Sequence, residues 1–274
     1  MRNILISICL LLTVSACVIF SQPKSLEEKA GTQVSLALTS TALDAIVSEL
    51  EKTTEPPSQI EPTQTVTQES KSDPKSDLGD PDYTDTCSSW SAWSVESKDQ
   101  VLESITTISV TDGKLSMESS QVGKFHWWFN YREVGDAYLE AVFETGTCSG
   151  SDQYGLVFRA PDYFNGVGYY YTLTCDGKYD LREKADPNSL IQDNQLRFGM
   201  KDTPHLNTGS NQKNVLGVWM SGETVRLYLN NQFVDEIIDA ELTGSGHFGL
   251  FIHAQKTPGF KISLDEISYW NLEK

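Results

Sequence analysis

The last 188 residues of the sequence (87–274) predict an all-β domain built as a two-sheet sandwich. Short runs that alternate apolar and polar residues recur there every eight to fifteen positions, and aromatic residues are frequent. Turn-forming residues separate the runs, as at Asp112-Gly113, Asp176-Gly177 and Asn230-Asn231. No run has a helical period. About eleven or twelve strands in a region of this length are typical of two packed β-sheets.

Eleven runs have the alternation and the β-branched or aromatic content of strands. In chain order they are 114–117, 124–131, 138–145, 154–160, 169–175, 178–184, 215–220, 224–229, 233–238, 247–253 and 262–271. The segment Trp90-Ser91-Ala92-Trp93-Ser94 precedes them. It is predicted to open the domain as a further strand, with one of its two tryptophans in the core.

The amino terminus has the composition of a secretory signal. A positive start at Arg2 leads into an apolar run over residues 4–14, followed by small residues. A bilayer span needs about twenty apolar residues, so this run is too short for one. We therefore expect residues 1–16 to be a signal peptide.

The residues at the end of this signal resemble the lipobox of bacterial lipoproteins. They read Val14-Ser15-Ala16-Cys17, with small side chains before a cysteine whose thiol can accept a lipid. The resemblance implies lipidation of Cys17 and a domain tethered to the cell membrane on its extracytoplasmic side. An ordinary secretory cleavage after Ala16 is the alternative.

Residues 17–86 are predicted to form a stalk. Ser25-Leu26-Glu27-Glu28 is a capping-box pattern, and the apolar residues after it predict one helix over 25–52. Residues 53–86 contain almost no large apolar side chain. Such a segment buries too little surface to offset the entropy of ordering, so we expect a disordered spacer.

Charge and cysteine content limit the partners and the covalent links. A formal net charge of −17 argues against nucleic acid and against anionic lipid headgroups, which are bound by clustered Lys and Arg. Cys148 and Cys175 flank predicted adjacent strands and are expected to form a disulfide in an oxidising compartment. Cys87 is then either free or paired with another molecule.

Several strand motifs resemble those of concanavalin A-like jelly-roll domains. They are Tyr-Gly-Leu-Val-Phe-Arg at 154–159, Gly-Tyr-Tyr-Tyr-Thr-Leu at 168–173, Val-Arg-Leu-Tyr-Leu-Asn at 225–230 and Gly-Leu-Phe at 249–251. The likeness covers roughly residues 93–272. It is nearest to the laminin-G-like branch and to the branch of the 3-keto-disaccharide hydrolases (DUF1080). It implies a jelly-roll fold with carbohydrate binding or processing, although a fold alone does not determine function.

Candidate ligand-binding residues follow from strand alternation. Counting along the strands places Arg159, Tyr170, Arg182 and His253 on the face opposite the core. Aromatic rings and fixed hydrogen-bond donors together suit a sugar. Trp128 adds a stacking platform, because one member of the Trp127-Trp128 pair must point outward. The alternative is that these long side chains only cover an exposed sheet.

The motifs of catalysis and of metal binding are weak. Glu236, Asp239 and Glu241 have the wrong spacing for the carboxylates of a jelly-roll glucanase, and the four histidines lack zinc-ligand spacing, so no catalytic or metal residue is assigned. A calcium site in an acidic loop, at Asp162 with Asn165 or at Asp186 with Asn188, is the alternative to solvated turns.

The leading hypothesis is a lipoprotein with a carbohydrate-binding jelly roll that does not turn its ligand over. A glycoside-processing enzyme of the 3-keto-disaccharide type is the second hypothesis. An envelope adhesion domain that recognises protein is the third.

Overall fold

The computed structural model describes residues 72–93, 99–188 and 195–272, and these residues form fifteen antiparallel strands in two sheets. The strands are β1 (Tyr83–Asp85), β2 (Asp99–Leu102), β3 (Thr106–Thr111), β4 (Lys114–Ser119), β5 (Lys124–Val134), β6 (Ala137–Thr145), β7 (Gln153–Ala160), β8 (Gly168–Thr174), β9 (Lys178–Lys184), β10 (Gln195–Asp202), β11 (Lys213–Ser221), β12 (Thr224–Leu229), β13 (Gln232–Ile238), β14 (Gly246–Ala254) and β15 (Phe260–Asn271). One short helix, α1 (Lys75–Leu78), precedes β1, and a 3₁₀ turn (Ser91–Trp93) follows it.

The two sheets differ in size. Sheet A has nine strands in the order β13-β12-β11-β6-β15-β4-β3-β2, and β1 pairs with the second half of β15. Sheet B has six strands in the order β10-β9-β8-β7-β14-β5. The prediction of an all-β, two-sheet jelly-roll sandwich is therefore confirmed. The edge strands β2 of sheet A and β5 of sheet B frame the site described below.

The core lies between the sheets and is built by period-two alternation. On β7, Tyr154, Leu156 and Phe158 face inward and are at most 1% exposed. Leu139 and Phe143 of β6 meet them from sheet A. Full burial of a large apolar side chain contributes about 1.5 to 3 kcal/mol, so this layer is the main source of stability.

Four strands were not predicted: β1, β2, β3 and β10. All are short or rich in polar residues, and β2 and β10 are edge strands that need no apolar alternation on both faces. The expected opening strand at 90–94 is also wrong, because Ser91–Trp93 forms a 3₁₀ turn. As expected, one of its two tryptophans lies in the core: Trp93 is fully buried, whereas Trp90 is 44% exposed.

The ordered domain begins before Cys87. Residues 72–86, placed by the sequence in a disordered spacer, contain α1 and β1. Lys75 forms an ion pair with Glu140 of β6 at 2.7 Å, and the Trp270 indole donates to the Gly79 carbonyl at 2.8 Å. The local sequence could not reveal this order, because its partners come from distant strands.

The signal peptide, Cys17, the expected helix over 25–52 and spacer residues 53–71 lie outside the described residues. Among the residues that are described, no helix has the length and apolar character needed to cross a membrane.

The expected disulfide between Cys148 and Cys175 is formed, with the two Cα atoms 5.7 Å apart. It joins residues 27 positions apart in sequence. In the chain-entropy account, closing a loop of this length stabilises the fold by about 3 to 4 kcal/mol. Among the described cysteines, Cys87 is free and fully buried, and burial raises the pKa of its thiol well above the ordinary value. It is therefore not placed to pair with another molecule.

Candidate functional site

An aromatic cleft of about 540 Å³ opens between the edge strands of the two sheets. Its lining comes from β2 and the turn after it, from β5 and from the loop that joins β7 to β8. The lining residues are Gln100, Leu102, Glu103, His126, Trp127, Trp128, Phe129, Tyr131, Tyr163 and Phe164. We call this space the aromatic cleft.

The cleft follows the edge of β5. In the described part of the chain, β5 pairs on one side only, with β14. Alternation sends Trp127 and Phe129 to the outer face of sheet B, whereas Trp128 points toward the interior of the sandwich. Side chains from both faces border the cleft because it runs along the strand edge. A prediction that considers the side chains of only one face of the strand therefore misses the cleft.

Three aromatic side chains form the exposed rim. Phe164 is 75% exposed, Tyr131 is 50% exposed and Tyr163 is 38% exposed. The rings of Tyr163 and Phe164 lie 4.0 Å apart between centroids, and Tyr131 meets Tyr163 edge-on at 6.0 Å. Exposed large apolar groups that cluster beside a cavity are a usual sign of a binding surface.

The loop 161–167, which carries Tyr163 and Phe164, is anchored by hydrogen bonds. Asp162 accepts from the Phe164 amide at 2.5 Å, and Asn165 accepts from the Val167 amide at 2.9 Å. These are Asx turns, in which a side chain satisfies a backbone donor two residues on. They account for both residues as turn formers.

Buried side chains of sheet B hold the same loop from below. The Tyr170 hydroxyl donates to the Gly166 carbonyl at 2.5 Å. The Lys184 ammonium, 2% exposed as a residue, donates to the carbonyls of Asn165, Asp186 and Pro187 at 2.9 to 3.1 Å. Burial lowers the pKa of Lys184 from its ordinary value. The bonds to Gly166 and Asn165 tie the second half of the loop to sheet B.

Gly166 fits against the Trp127 ring. Its φ is +67°, and a Cβ built there would come within 2.5 Å of the indole. The loop backbone therefore packs directly on Trp127 and helps fix its orientation. The Lys184 ammonium also lies 5.7 Å from the Trp127 ring centroid.

The polar part of the cleft centres on Glu103 and His126. The Nδ1 of His126 lies 2.7 Å from the Thr106 hydroxyl, and its Nε2 lies 3.7 Å from the Glu103 carboxylate. Burial lowers the pKa of His126 from its ordinary value of 6.5, so the imidazole is mainly neutral at pH 7. The Glu103 side chain is 67% exposed and available to a ligand.

Three of the predicted site residues share the outer face of sheet B, but they face other protein groups. Tyr170 is fully buried beneath the loop 161–167. Arg182 pairs with Asp180 at 2.8 Å. His253 lies 3.4 Å from the Gln153 side chain, and burial, reinforced by Arg182, lowers its pKa to about 4. These residues form a layer beside the cleft, and they are not among the residues that line it.

Arg159 does not lie on the face that alternation predicted. Its φ is +51°, so the strand is irregular there and the side chain leaves the Val157 face. The guanidinium donates to the Leu242 carbonyl at 3.0 Å and to Asp136 at 3.2 Å, and the side chain is 1% exposed. The expectation of an outward Arg159 is therefore wrong.

Trp128 lines the cleft, but its indole also donates to the Trp93 carbonyl inside the sandwich. Trp127 is the outward member of the pair. Sequence reasoning missed Tyr131, Tyr163, Phe164, Glu103 and His126 as cleft residues. The available signal was the adjacent Tyr163 and Phe164 in a loop rich in Pro, Asp, Asn and Gly, where large aromatic residues have no core to fill.

The acidic candidates have structural roles. The Asp186 carboxylate accepts a hydrogen bond from the backbone amide of Asn188 at 2.8 Å. Asp162 forms the same kind of turn with the backbone amide of Phe164. Within the described ranges, no group of three or more His, Cys, Asp or Glu side chains is placed to hold a metal ion. β13 ends at Ile238, and the buried Asp239 pairs with Arg197 and accepts from the Glu241 amide. Glu236, on β13, pairs with Arg226.

Comparison with known proteins establishes the fold. No protein-family model matches the chain, and no curated protein matches it. A protein of unknown function with a galectin-like fold from Bacillus subtilis is 14% identical, with a TM-score of 0.51 over 71% of this chain and 97% of that one. The described domain thus has the two-sheet jelly-roll sandwich fold of that structure.

Two further solved structures are similar to a smaller degree. The carbohydrate-binding module CBM66 from Bacillus subtilis is 15% identical, with a TM-score of 0.45 over 57% of this chain and 86% of that one. A glycosyl hydrolase candidate from Parabacteroides distasonis is 14% identical, with a TM-score of 0.42 over 61% of this chain and 83% of that one.

Proposed function

We propose that this domain binds a carbohydrate at the aromatic cleft and does not turn it over. One observation carries the proposal: a cleft of about 540 Å³ combines exposed aromatic rings with hydrogen-bonding side chains. Sugar rings present C–H faces that pack on aromatic rings, and hydroxyl groups that need directed polar partners. Tyr163 and Phe164 supply the first kind of contact, and Gln100, Glu103 and His126 supply the second.

The anchored loop supports binding by a preformed site. Asx turns, the Tyr170 hydroxyl and the Lys184 ammonium hold the loop 161–167 before any ligand arrives. Side-chain and loop ordering on binding costs affinity, and an ordered loop avoids much of that cost.

We propose binding instead of hydrolysis because the described lining of the cleft contains a single carboxylate. Glycoside hydrolysis commonly uses two carboxyl groups that flank the scissile bond. Among the described residues that line the cleft, Glu103 is the one carboxylate. A single exposed carboxylate can accept hydrogen bonds from hydroxyl groups but leaves the second role of that mechanism unfilled.

The Phe164→Ala variant tests the binding site. Loss of one stacking ring is expected to weaken saccharide binding roughly five- to tenfold in calorimetry, after a glycan array has identified a ligand for the full chain. Stability should hardly change, because the Phe164 ring is mostly in solvent. Trp90→Ala is the matched control, since Trp90 is exposed but does not line the cleft.

Three outcomes contradict the proposal. The first is that no saccharide binds, and the second is that Trp90→Ala weakens binding as much as Phe164→Ala does. The third is hydrolysis of the bound sugar, which would replace binding with glycoside processing.

We also propose that the chain is tethered to the cell membrane through a lipid on Cys17, which the lipobox-like residues 14–17 support. In a bacterial host, Cys17→Ser should move the protein from the membrane fraction to the soluble extracytoplasmic fraction. Cys9→Ser, within the apolar run, should leave it in the membrane fraction. Retention of the Cys17→Ser protein in membranes would exclude this anchor.

A further inference from the structure

The turn between β2 and β3 places Glu103 in an unusual backbone conformation. Glu103 has φ +49° and Ser104 has φ +59°, and the Ile105 amide donates to the Leu102 carbonyl at 2.9 Å. Two successive positive φ angles define a type I′ turn, for which Asn-Gly or Gly-Gly is favoured. A glutamate and a serine occupy this turn at a cost in backbone energy.

This conformation projects the Glu103 carboxylate toward the cleft, where two neighbours orient it. The Lys124 ammonium and the His126 Nε2 each lie 3.7 Å from Glu103 Oε2. His126 is in turn held by the Thr106 hydroxyl. The carboxylate is thus positioned from three elements, β3, β5 and its own turn, while most of the side chain remains in solvent.

The cations that the structure describes near the cleft are already engaged. Lys124 faces Glu103, and the Lys184 ammonium is bonded to three carbonyls. Arg132 lies over the Tyr83 ring at 4.2 Å, and Arg182 is paired with Asp180. An anionic ligand in the cleft would therefore meet a carboxylate, and the nearest cations among the described residues would already be occupied.

We infer that Glu103 makes the aromatic cleft selective for neutral saccharides over acidic ones. The carboxylate accepts hydrogen bonds from sugar hydroxyls, and charge-assisted bonds of this kind are stronger than neutral ones. It repels a uronate or a sulfate placed nearby, because like charges at close range destabilise the complex. The formal net charge of −17 adds to this repulsion at low salt. The inference rests on the proposed carbohydrate-binding function.

The test compares a neutral oligosaccharide found to bind the full chain with the same oligosaccharide oxidised to its uronate. The uronate is expected to bind at least about fivefold more weakly at low ionic strength, and added salt should narrow the difference. Glu103→Gln keeps the shape of the side chain and removes its charge. It should bring the two affinities within about twofold of each other. Glu118→Gln, an exposed glutamate on β4 away from the cleft, should leave the ratio unchanged.

A second variant separates selectivity from folding. Glu103→Gly relieves the positive φ, so its midpoint of thermal unfolding should be equal to or higher than that of the wild type. It should nevertheless lose the preference for the neutral ligand. Equal or tighter binding of the uronate by the wild type would overturn the inference, as would an unchanged ratio in Glu103→Gln. In either case the binding function would stand. Absence of binding to both ligands would instead remove the proposed function itself.

Discussion

A Gly249→Ala variant is expected to lose about 3 kcal/mol or more of its free energy of unfolding. Gly249 lies on β14, where a Cβ would overlap the carbonyl oxygen of Trp128 and come within 2.8 Å of the Phe129 Cα. These obstacles are backbone atoms of β5, so no side-chain rotation relieves the overlap. Separating the strands would break the β5–β14 hydrogen bonds, and the cleft wall would move with β5.

Urea denaturation measures this loss, and Gly199→Ala is the matched control. Gly199 is also a strand residue, on β10, with a φ outside the left-handed region and no atom within 4 Å of a built Cβ. That control should unfold near the wild-type midpoint. A Gly249→Ala protein with the same midpoint as the control would show that β14 and β5 are not packed as closely as described.

An Arg159→Ala variant is expected to be destabilised by about 2 to 3 kcal/mol, because it loses the bonds of a buried guanidinium to the partly buried Asp136 and to the Leu242 carbonyl. The Arg159 guanidinium bonds Asp136, whose other carboxylate oxygen accepts from the Gly222 amide at 2.8 Å. It also bonds the Leu242 carbonyl. One side chain thus joins three turns at one end of the sandwich, and its removal leaves Asp136 without its buried cation.

Thermal and chemical unfolding of Arg159→Ala should be compared with Arg132→Ala. Arg132 is exposed and lies over the Tyr83 ring, so its loss should cost no more than about 1 kcal/mol. Burial, opposed by Asp136, lowers the pKa of Arg159, but an arginine stays protonated across the accessible pH range. The difference between the two variants should therefore persist from pH 6 to pH 9. A loss below about 1 kcal/mol in Arg159→Ala would contradict the role assigned to this pair.

Alternation was sufficient to locate eleven of the fifteen strands, because residues such as Leu156 and Phe158 must face one core and their spacing records it. The same rule placed Tyr170 and Arg182 correctly on the outer face of sheet B. It could not show that the loop 161–167 folds over Tyr170. Tyr170 contacts the loop through the backbone carbonyl of Gly166. Every residue has such a carbonyl, so the sequence does not indicate which one is contacted.

Local sequence therefore determined the β-class of the domain, the inward and outward faces of its regular strands, and the cysteines of its disulfide. Tertiary structure decided the rest. A positive φ turned Arg159 away from its expected face, and distant strands ordered residues 72–86. The aromatic cleft arose where the edges of β2 and β5 meet the loop 161–167, three segments far apart in sequence. Alternation is set by neighbouring residues, whereas a cleft between sheet edges depends on how distant segments pack.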